Sequence, residues 1–259
     1  PVHFQNRSYS IFNIVHSVDN FHPKGIAGGV LDVSFVGYEK YGEYLGWDKK
    51  DYVALGLPKY DILSSLDPVA IRKKYALPEK YILLLTPNSD LLSTRMLYRV
   101  IRDMKRHGYS VVLKGKTPKC HKPWYRFMGE KYFLSDVSFY PFITHELIRG
   151  SQGVIGFDTT AVEETLMCER PLVNFSIKPY RDKSAREGNF KQFVPMWASP
   201  FCLDLDIKDW KSWKWNQALP EFMSHFGKTF DYKKIQAEVF SVPGGASDRI
   251  IDFLEKNSR

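Results

Sequence analysis

The chain has 259 residues, of which 44% are hydrophobic and 25% charged, and its formal net charge is +8. This composition is that of an ordinary globular protein rather than a disordered one, and no run approaches the roughly 18 apolar residues of a membrane span. The positive charge favours an anionic partner: a nucleotide, a nucleic acid or an acidic membrane surface.

The first segments of the chain predict an incomplete α/β domain over residues 1–57. Three stretches each read as a strand followed by a turn or helix: SIFNIVHSVDN, VLDVSFVGYEKYGEYLGW and KDYVALGLPKYDIL. So few elements cannot close a sheet and core of their own. Gly56 and Pro58 break the pattern, and we place a domain boundary there, with a second domain over residues 58–259.

Strands and helices alternate from about residue 80 onward. KYILLL reads as a buried strand, and the next helix carries Leu92, Met96, Val100 and Met104 on one face before Gly108 closes it. The further elements in chain order are the strand YSVVLKG, the helix THELIRGS, the strand GVIGF, a short helix and a strand opened by Pro171. A last helix begins at Ala246 or Ser247, with Ile250, Ile251 and Leu254 on its apolar side. This alternation predicts a parallel sheet covered by helices on both faces.

The helix after KYILLL also carries a basic stripe formed by Arg95, Arg99, Arg102 and Arg106. Such a stripe is most often a solvated face, and attachment to a membrane surface is the second interpretation. Nucleic-acid binding ranks third, because no helix-turn-helix, zinc-finger or RNP-type motif accompanies the charge. We therefore expect no nucleic-acid partner.

Residues 153–175, GVIGFDTTAVEETLMCERPLVNF, predict a phosphate-binding strand, turn and helix. Asp158, Thr159 and Thr160 fill the turn, where free backbone N–H groups and the helix dipole favour a bound pyrophosphate. Glu164, one turn later, could accept hydrogen bonds from a ribose. The alternative is that Asp158 or Thr159 only caps a surface helix, with Glu163 and Glu164 on its solvated face.

Two more polar loops follow strands and should converge on the same crevice, because ligands of open parallel sheets bind at the carboxyl ends of the strands. The loop TPNSD contributes Thr86 and Asn88, and KGKTPK contributes Lys114 and Lys116. Both lysines are then expected to bind phosphate. The alternative is that they are exposed loop lysines.

The order of these segments resembles the C-terminal, donor-binding half of a GT-B glycosyltransferase. The nearest branches are the capsule and teichoic-acid polymerases, including the CDP-glycerol glycerophosphotransferases, with UDP-GlcNAc 2-epimerases as relatives. The family's Gly-x-Pro-x-x-Asp entry segment resembles residues 56–61, its lysine loop resembles residues 114–116, and its hydroxyl turn and helical Glu resemble Thr159, Thr160 and Glu164. The resemblance covers roughly residues 50–259 and implies a Rossmann-like fold.

The resemblance implies a transferase that uses a nucleotide-activated sugar or polyol donor and a glycan or lipid-linked acceptor in surface polysaccharide synthesis. The chain departs from the family in two ways: a second lysine replaces the histidine of the lysine loop, and only the closing elements of an N-terminal domain are present. A partner chain could complete that domain. An epimerase of the UDP-GlcNAc type and a noncatalytic nucleotide-sugar-binding subunit stay open as alternatives.

In such an enzyme the N-terminal part supplies the catalytic base, and this chain offers His16, Asp19 and His22 there. A histidine titrates near neutrality and can take a proton from an acceptor hydroxyl. Structural hydrogen bonding is the alternative role for His16 and His22. We expect no cofactor and no metal, since lysines and a helix N-terminus can balance the charge of a departing diphosphate.

The cysteines and the N-terminus predict a reducing, cytoplasmic setting. Cys120, Cys168 and Cys202 are widely spaced, which is typical of neither a disulfide framework nor a zinc site. The first residues show no basic region followed by an apolar core, as a signal peptide would. Peripheral attachment to the inner membrane face is an open alternative.

Overall fold

The chain forms two compact units, residues 1–64 with 233–259 and residues 65–232. The computed structural model describes residues 12–14, 33–37, 39, 48–50, 52–86, 94–115, 125–134, 143–157, 161–177, 200–207, 213–240 and 244–257. The sequence predicts a single division at residue 57, whereas these units place residues 233–259 with the N-terminal segment. No helix among the described residues is long and apolar enough to cross a bilayer.

The larger unit is built on a six-stranded parallel sheet, which confirms the predicted architecture. Its strands are β4 (Tyr81–Leu85), β5 (Ser110–Gly115), β6 (Lys131–Leu134), β7 (Gly153–Phe157), β8 (Leu172–Ile177) and β9 (Cys202–Ile207). Their order is β6-β5-β4-β7-β8-β9, and every neighbouring pair is parallel. The chain therefore runs outward from β4 to β6, returns to the centre and runs outward again from β7 to β9. The direction of winding reverses between β4 and β7.

Helices connect these strands. They are α1 (Pro68–Lys74), α2 (Thr94–Arg106), α3 (Tyr125–Met128), α4 (Ile143–Gly150), α5 (Val162–Met167) and α6 (Trp215–Phe226). One sheet face packs against α2 and α6 in the main core, where the predicted apolar residues Met96, Val100 and Met104 are buried. Trp215, at the start of α6, is 1% exposed in this core. The predicted core face of α2 is thus confirmed over its described residues, since Leu92 lies outside them.

A buried carboxylate, Asp103, joins α2 to α6. Trp215 Nε1 donates a hydrogen bond to Asp103 Oδ2 at 2.7 Å, and Arg102 Nε donates to Oδ1 at 3.0 Å. Arg106 Nη1 lies 3.4 Å from the same Oδ1. Burial by itself raises the pKa of Asp103, but the hydrogen bonds from Arg102 and Trp215 and the charges of Arg102 and Arg106 outweigh it and lower the pKa below its usual value. Two arginines of the predicted basic stripe therefore pair with a buried carboxylate, although the Arg106 side chain is itself 66% exposed.

The smaller unit contains a second parallel sheet. Its elements are β1 (Phe12–Ile14), β2 (Val33–Val36) and β3 (Tyr52–Ala54), a 3-10 helix (Pro58–Ser65), α7 (Tyr232–Phe240) and α8 (Ala246–Asn257). Ser65 at the end of the 3-10 helix and Tyr232 at the start of α7 belong to the larger unit. The strand order is β1-β2-β3. Phe35 of β2 is 1% exposed and meets Phe253 of α8 edge to face, with ring centroids 5.4 Å apart. A helix from the far end of the chain thus contributes to the core of the N-terminal sheet.

Asp61 caps that helix. Its two carboxylate oxygens accept hydrogen bonds from the backbone N–H groups of Ala246 at 2.9 Å and Ser247 at 2.7 Å. The predicted start of the last helix is confirmed, since α8 begins at Ala246. Its predicted apolar side is correct at Ile250, which is buried, but wrong at Ile251, which is 52% exposed.

Candidate functional site

The reversal between β4 and β7 defines the crevice where a ligand of this sheet is expected. In open parallel sheets, ligands bind outside the carboxyl ends of the strands at the point where winding reverses. Strand β4 ends at Leu85 and is followed by Thr86, and β7 ends at Phe157 just before the predicted phosphate turn. The predicted loops TPNSD and FDTT therefore follow the two strands that flank the reversal.

Thr86 and Lys114, both predicted as site residues, are neighbours at this edge. The Thr86 backbone N–H donates to the Lys114 carbonyl oxygen at 2.8 Å, and Thr86 Oγ1 donates to the same oxygen at 3.2 Å. Each residue is only 6% exposed. Lys114 lies within β5 rather than in the loop beyond it, so the alternative of an exposed loop lysine is wrong for this residue.

Gly115 ends β5 in a place that has no room for a side chain. A Cβ atom there would stand 2.5 Å from Tyr132 Oη on β6 and 3.4 Å from Thr86 Oγ1. The first of these distances is far below van der Waals contact, so a larger residue would push the Tyr132 hydroxyl aside. The glycine of the Lys-Gly-Lys segment thus leaves room for the Tyr132 side chain and for Thr86.

Helix α5 follows β7, as predicted. The N-cap residue and the burial of the first turn differ from those expected of a capped surface helix. Ala161 occupies the N-cap position and makes no side-chain cap, while its carbonyl oxygen accepts from Thr165 Oγ1 at 2.6 Å. Glu163 is 2% exposed, and Glu164 is partly buried. The two glutamates therefore do not form a solvated face, and the alternative is wrong on that point.

The other predicted site residues lie outside the described residues, and their assignments stay predictions. They are His16, Asp19, His22, Asn88, Lys116, Asp158, Thr159 and Thr160. The structure thus brings Thr86 and Lys114 into contact and sets Glu164 in the first turn of the helix after β7. It leaves the phosphate turn itself and the predicted base untested.

A polar network on β8 and β9 escaped the sequence prediction. Asn174 Nδ2 donates to Asp204 Oδ1 at 2.8 Å and to Ser176 Oγ at 3.1 Å, and Ser176 Oγ donates to Asp204 Oδ1 at 2.5 Å. Asn174 and Ser176 are almost completely buried. The only available signal in the sequence was a polar residue at every second position, namely Asn174 and Ser176 in β8 and Asp204 and Asp206 in β9. Within the described parts of the chain, no cluster of three or more His, Cys, Asp or Glu side chains could hold a metal ion.

Two parallel sheets, with a winding reversal and polar strand ends in the larger one, define a Rossmann-like fold of the GT-B type. Solved structures with this fold confirm the class. The chain is similar to the wall teichoic acid polymerase TagF soaked with CDPG, with a TM-score of 0.57 and 15% identity over 88% of this chain. It is also similar to the UDP-N-acetylglucosamine 2-epimerase of Rickettsia bellii, with a TM-score of 0.58 and 14% identity over 96% of this chain.

A third similar structure is the UDP-GlcNAc 2-epimerase of Methanocaldococcus jannaschii in complex with UDP-GlcNAc and UDP, with a TM-score of 0.54 and 12% identity over 88% of this chain and 62% of that one. The match spans 58% of the TagF chain and 68% of the Rickettsia epimerase chain. No protein-family model and no curated protein sequence matches the chain. At such identities the likeness establishes the fold.

Proposed function

We propose that the chain is the donor-binding part of a transferase that uses a nucleotide-diphosphate-activated sugar or polyol in the synthesis of a surface polysaccharide. The supporting observation is the winding reversal between β4 and β7, flanked by Thr86, Lys114 and Glu164. Similar structures hold UDP, UDP-GlcNAc or CDPG, which supports a nucleotide-activated donor. The proposed acceptor is a glycan or a lipid-linked chain.

The proposed donor site balances the diphosphate charge with cations and backbone amides. Lys114 and Lys116 would approach the phosphate oxygens, and Thr159 and Thr160 would donate hydroxyl hydrogen bonds at the turn before α5. Glu164 would accept from the ribose hydroxyls. Stabilising a departing nucleoside diphosphate in this way requires no metal ion.

A thermal-shift screen tests the donor site. UDP, CDP, GDP and ADP, with their sugar or glycerol conjugates, should include one ligand that stabilises the chain by about 2.7 kcal/mol at 100 times its dissociation constant. Glu164→Gln and Thr160→Val should reduce that shift. Glu221→Gln on α6, which removes an exposed carboxylate that is not among the proposed donor-site residues, is the matched control and should keep the shift. A chain that responds to none of these nucleotides would contradict the proposal.

His16 is the proposed base, with Asp19 and His22 beside it in the chain. Removing a general base typically lowers turnover by a factor of about 10² to 10⁴. We expect His16→Asn to lower turnover with the identified donor in this range while the thermal shift by that donor is unchanged. Equal turnover in His16→Asn would assign the histidine a structural role, and His22→Asn is then the next variant to measure.

An epimerase is the second candidate, because two of the similar structures are UDP-GlcNAc 2-epimerases. Incubation with UDP-GlcNAc alone separates the candidates. An epimerase converts the sugar or releases UDP without an acceptor, whereas a transferase needs one. A chain that binds the nucleotide but turns nothing over until a partner chain is added would instead be a binding subunit.

Peripheral attachment to the inner membrane face belongs to the same proposal. The observation that supports it is the basic helix α2, on which Arg95 is exposed. Arg102 and Arg106 pair with Asp103, so this one carboxylate offsets part of the positive charge of the helix. Attachment of this kind should weaken as the salt concentration rises.

A further inference from the structure

An open cleft of about 440 Å³ lies at the edge of the six-stranded sheet opposite to the proposed donor site. Gln152 lies just before β7 and Pro171 just before β8, so the cleft is at the amino ends of these strands. Five- and six-residue strands separate the two edges by roughly 15 Å. A ligand in this cleft would therefore not occupy the donor site.

Two residues that line this cleft each carry a buried hydrogen-bond donor that has no acceptor among the described residues. The donors are Tyr232 Oη and Arg170 Nε. The Arg170 guanidinium is fixed by two other bonds, from Nη1 to the Glu169 carbonyl at 2.8 Å and from Nη2 to the Arg149 carbonyl at 2.6 Å. Buried donors without acceptors are rare and costly in native proteins. A bound ligand with acceptor oxygens would satisfy both donors.

The charges around the cleft favour an anion. Arg170 and Lys228 supply two cations. Among the described residues that line the cleft, Glu169 is the only one with a carboxylate, and it is paired with Arg149 Nη1 at 2.9 Å. Burial, and after it the charge of Arg149, lowers the pKa of Arg170. This is the response of a buried cation that an anion would stabilise.

The lining also contains apolar residues, which form the apolar wall of the cleft. This wall is formed by Phe226, Phe230 and Pro171, and Phe226 is itself 9% exposed. Clefts of several hundred cubic ångströms commonly hold whole organic molecules. An inorganic anion would leave this wall without a partner.

We propose that this cleft binds a small organic oxyanion, with its phosphate or carboxylate group at Tyr232, Arg170 and Lys228 and its apolar body against Phe226 and Phe230. This site is separate from the donor site and does not depend on the proposed function. Arg170 holds the turn between α5 and β8, so its replacement is a poor test. Tyr232→Phe removes only the hydroxyl, and Lys228→Gln removes only the charge.

Isothermal titration of the full chain with phenyl phosphate and with benzoate tests the site and distinguishes the two anionic groups. We expect one of them to bind, inorganic phosphate to bind more weakly and benzyl alcohol not to bind. Tyr232→Phe should weaken binding about tenfold, as expected for a lost hydrogen bond to a charged group. Lys228→Gln should also weaken it, whereas Lys256→Gln on α8 and Glu164→Gln at the donor site should leave it unchanged.

Three results would overturn the assignment. Absence of binding by both organic anions is the first, and equal affinity of Tyr232→Phe and the parent chain is the second. In either case an ordered water satisfies the two donors. Equal affinity for inorganic phosphate and phenyl phosphate is the third, since it removes the role of the apolar wall. The melting temperature of Tyr232→Phe should be no lower than that of the parent chain, and this measurement verifies that the variant is folded.

Discussion

Asp103 shows how one side chain can change the meaning of a charge pattern. In the sequence it is the lone acid within a basic stripe, and the stripe favours a solvated face or a surface for anions. In the structure Asp103 is buried, and it draws Arg102 and Arg106 toward it while accepting the indole hydrogen bond of Trp215. The stripe is thus partly a structural ion cluster. Trp215 lies 112 residues further along the chain, so no local pattern could predict this partner.

This cluster should make stability sensitive to acid. Because the pKa of Asp103 is lower in the folded chain than in the unfolded one, its contribution is full above the unfolded pKa of about 4 and is lost as the pH falls through the folded pKa. We expect Asp103→Asn to be less stable by about 1–3 kcal/mol at pH 7 and to lose less stability between pH 5 and pH 2. Urea unfolding at several pH values measures both quantities.

Asp252→Asn is the matched control, because it removes an exposed carboxylate from α8. Its acid dependence should follow that of the parent chain. An Asp103→Asn variant that follows the parent curve over the whole range would show that the carboxylate contributes no net stability.

At the level of elements, three helices end in the same way. After α1, α2 and α5, two backbone N–H groups return to carbonyls of the last turn in the Schellman pattern, as in Ala76 N to Lys73 O at 3.2 Å and Leu77 N to Arg72 O at 2.8 Å. The residue in the left-handed region is Gly108 after α2, with a φ of 83°, but it is Ala76 after α1 and Glu169 after α5, with φ values of 46° and 57°. Only the end of α2 carries glycine, which is the residue that this conformation favours.

Two substitutions at these ends should have opposite effects. Ala76 is exposed, so Ala76→Gly loses little contact and should stabilise the chain by about 0.5–1 kcal/mol by relieving the positive φ. Gly108→Ala should cost about 1 kcal/mol, since a Cβ atom at Gly108 meets nothing within 4 Å and the strained φ is its only penalty. Thermal unfolding measures both, and effects of the same sign would contradict the argument.

The elements that could be predicted from the sequence are those in which buried apolar residues follow a regular pattern along the chain. Strands buried on both faces, such as β4, read as continuous apolar runs, and α2 reads as a helix because its core face recurs every three to four residues. Strand β9 alternates Leu and Asp and is an edge strand of the larger sheet, and it is not among the predicted elements. Helix α6 contains Pro220, a residue that is disfavoured inside helices, and it is also not among the predicted elements.

At the level of the whole molecule, the sequence predicts the crevice better than it predicts the units. The strand ends converge because parallel topology forces them to, so Thr86 and Lys114 could be predicted as neighbours. The units depend on contacts that are remote in sequence, above all the capping of Ala246 by Asp61, 185 residues apart. The Gly-x-Pro-x-x-Asp segment was predicted as a domain entry, and its Asp is in fact a helix cap.

Asp61 should therefore control the stability of the smaller unit. Replacing a capping carboxylate typically costs about 0.5–2 kcal/mol. We expect Asp61→Ala to reduce the amide hydrogen-exchange protection of β2 and α8 while β4 and β7 keep theirs. Asp67, which caps α1 locally by accepting from Val69 N at 2.9 Å, provides the comparison. Asp67→Ala should reduce protection in α1 and leave α8 unchanged, and the reverse result for either variant would contradict the assignment.

The capping of Ala246 by Asp61 also determines the order in which the two units can fold during synthesis. Asp61 leaves the ribosome 185 residues before Ala246, which corresponds to about 10–40 s at ordinary translation rates. During that interval the strands of the smaller sheet lack the helix that covers Phe35, whereas every strand of the larger sheet is synthesised before the interval ends. The larger unit can therefore fold while the chain is still growing. The smaller one closes afterwards, and its exposed sheet is the part of the nascent chain that a chaperone would protect.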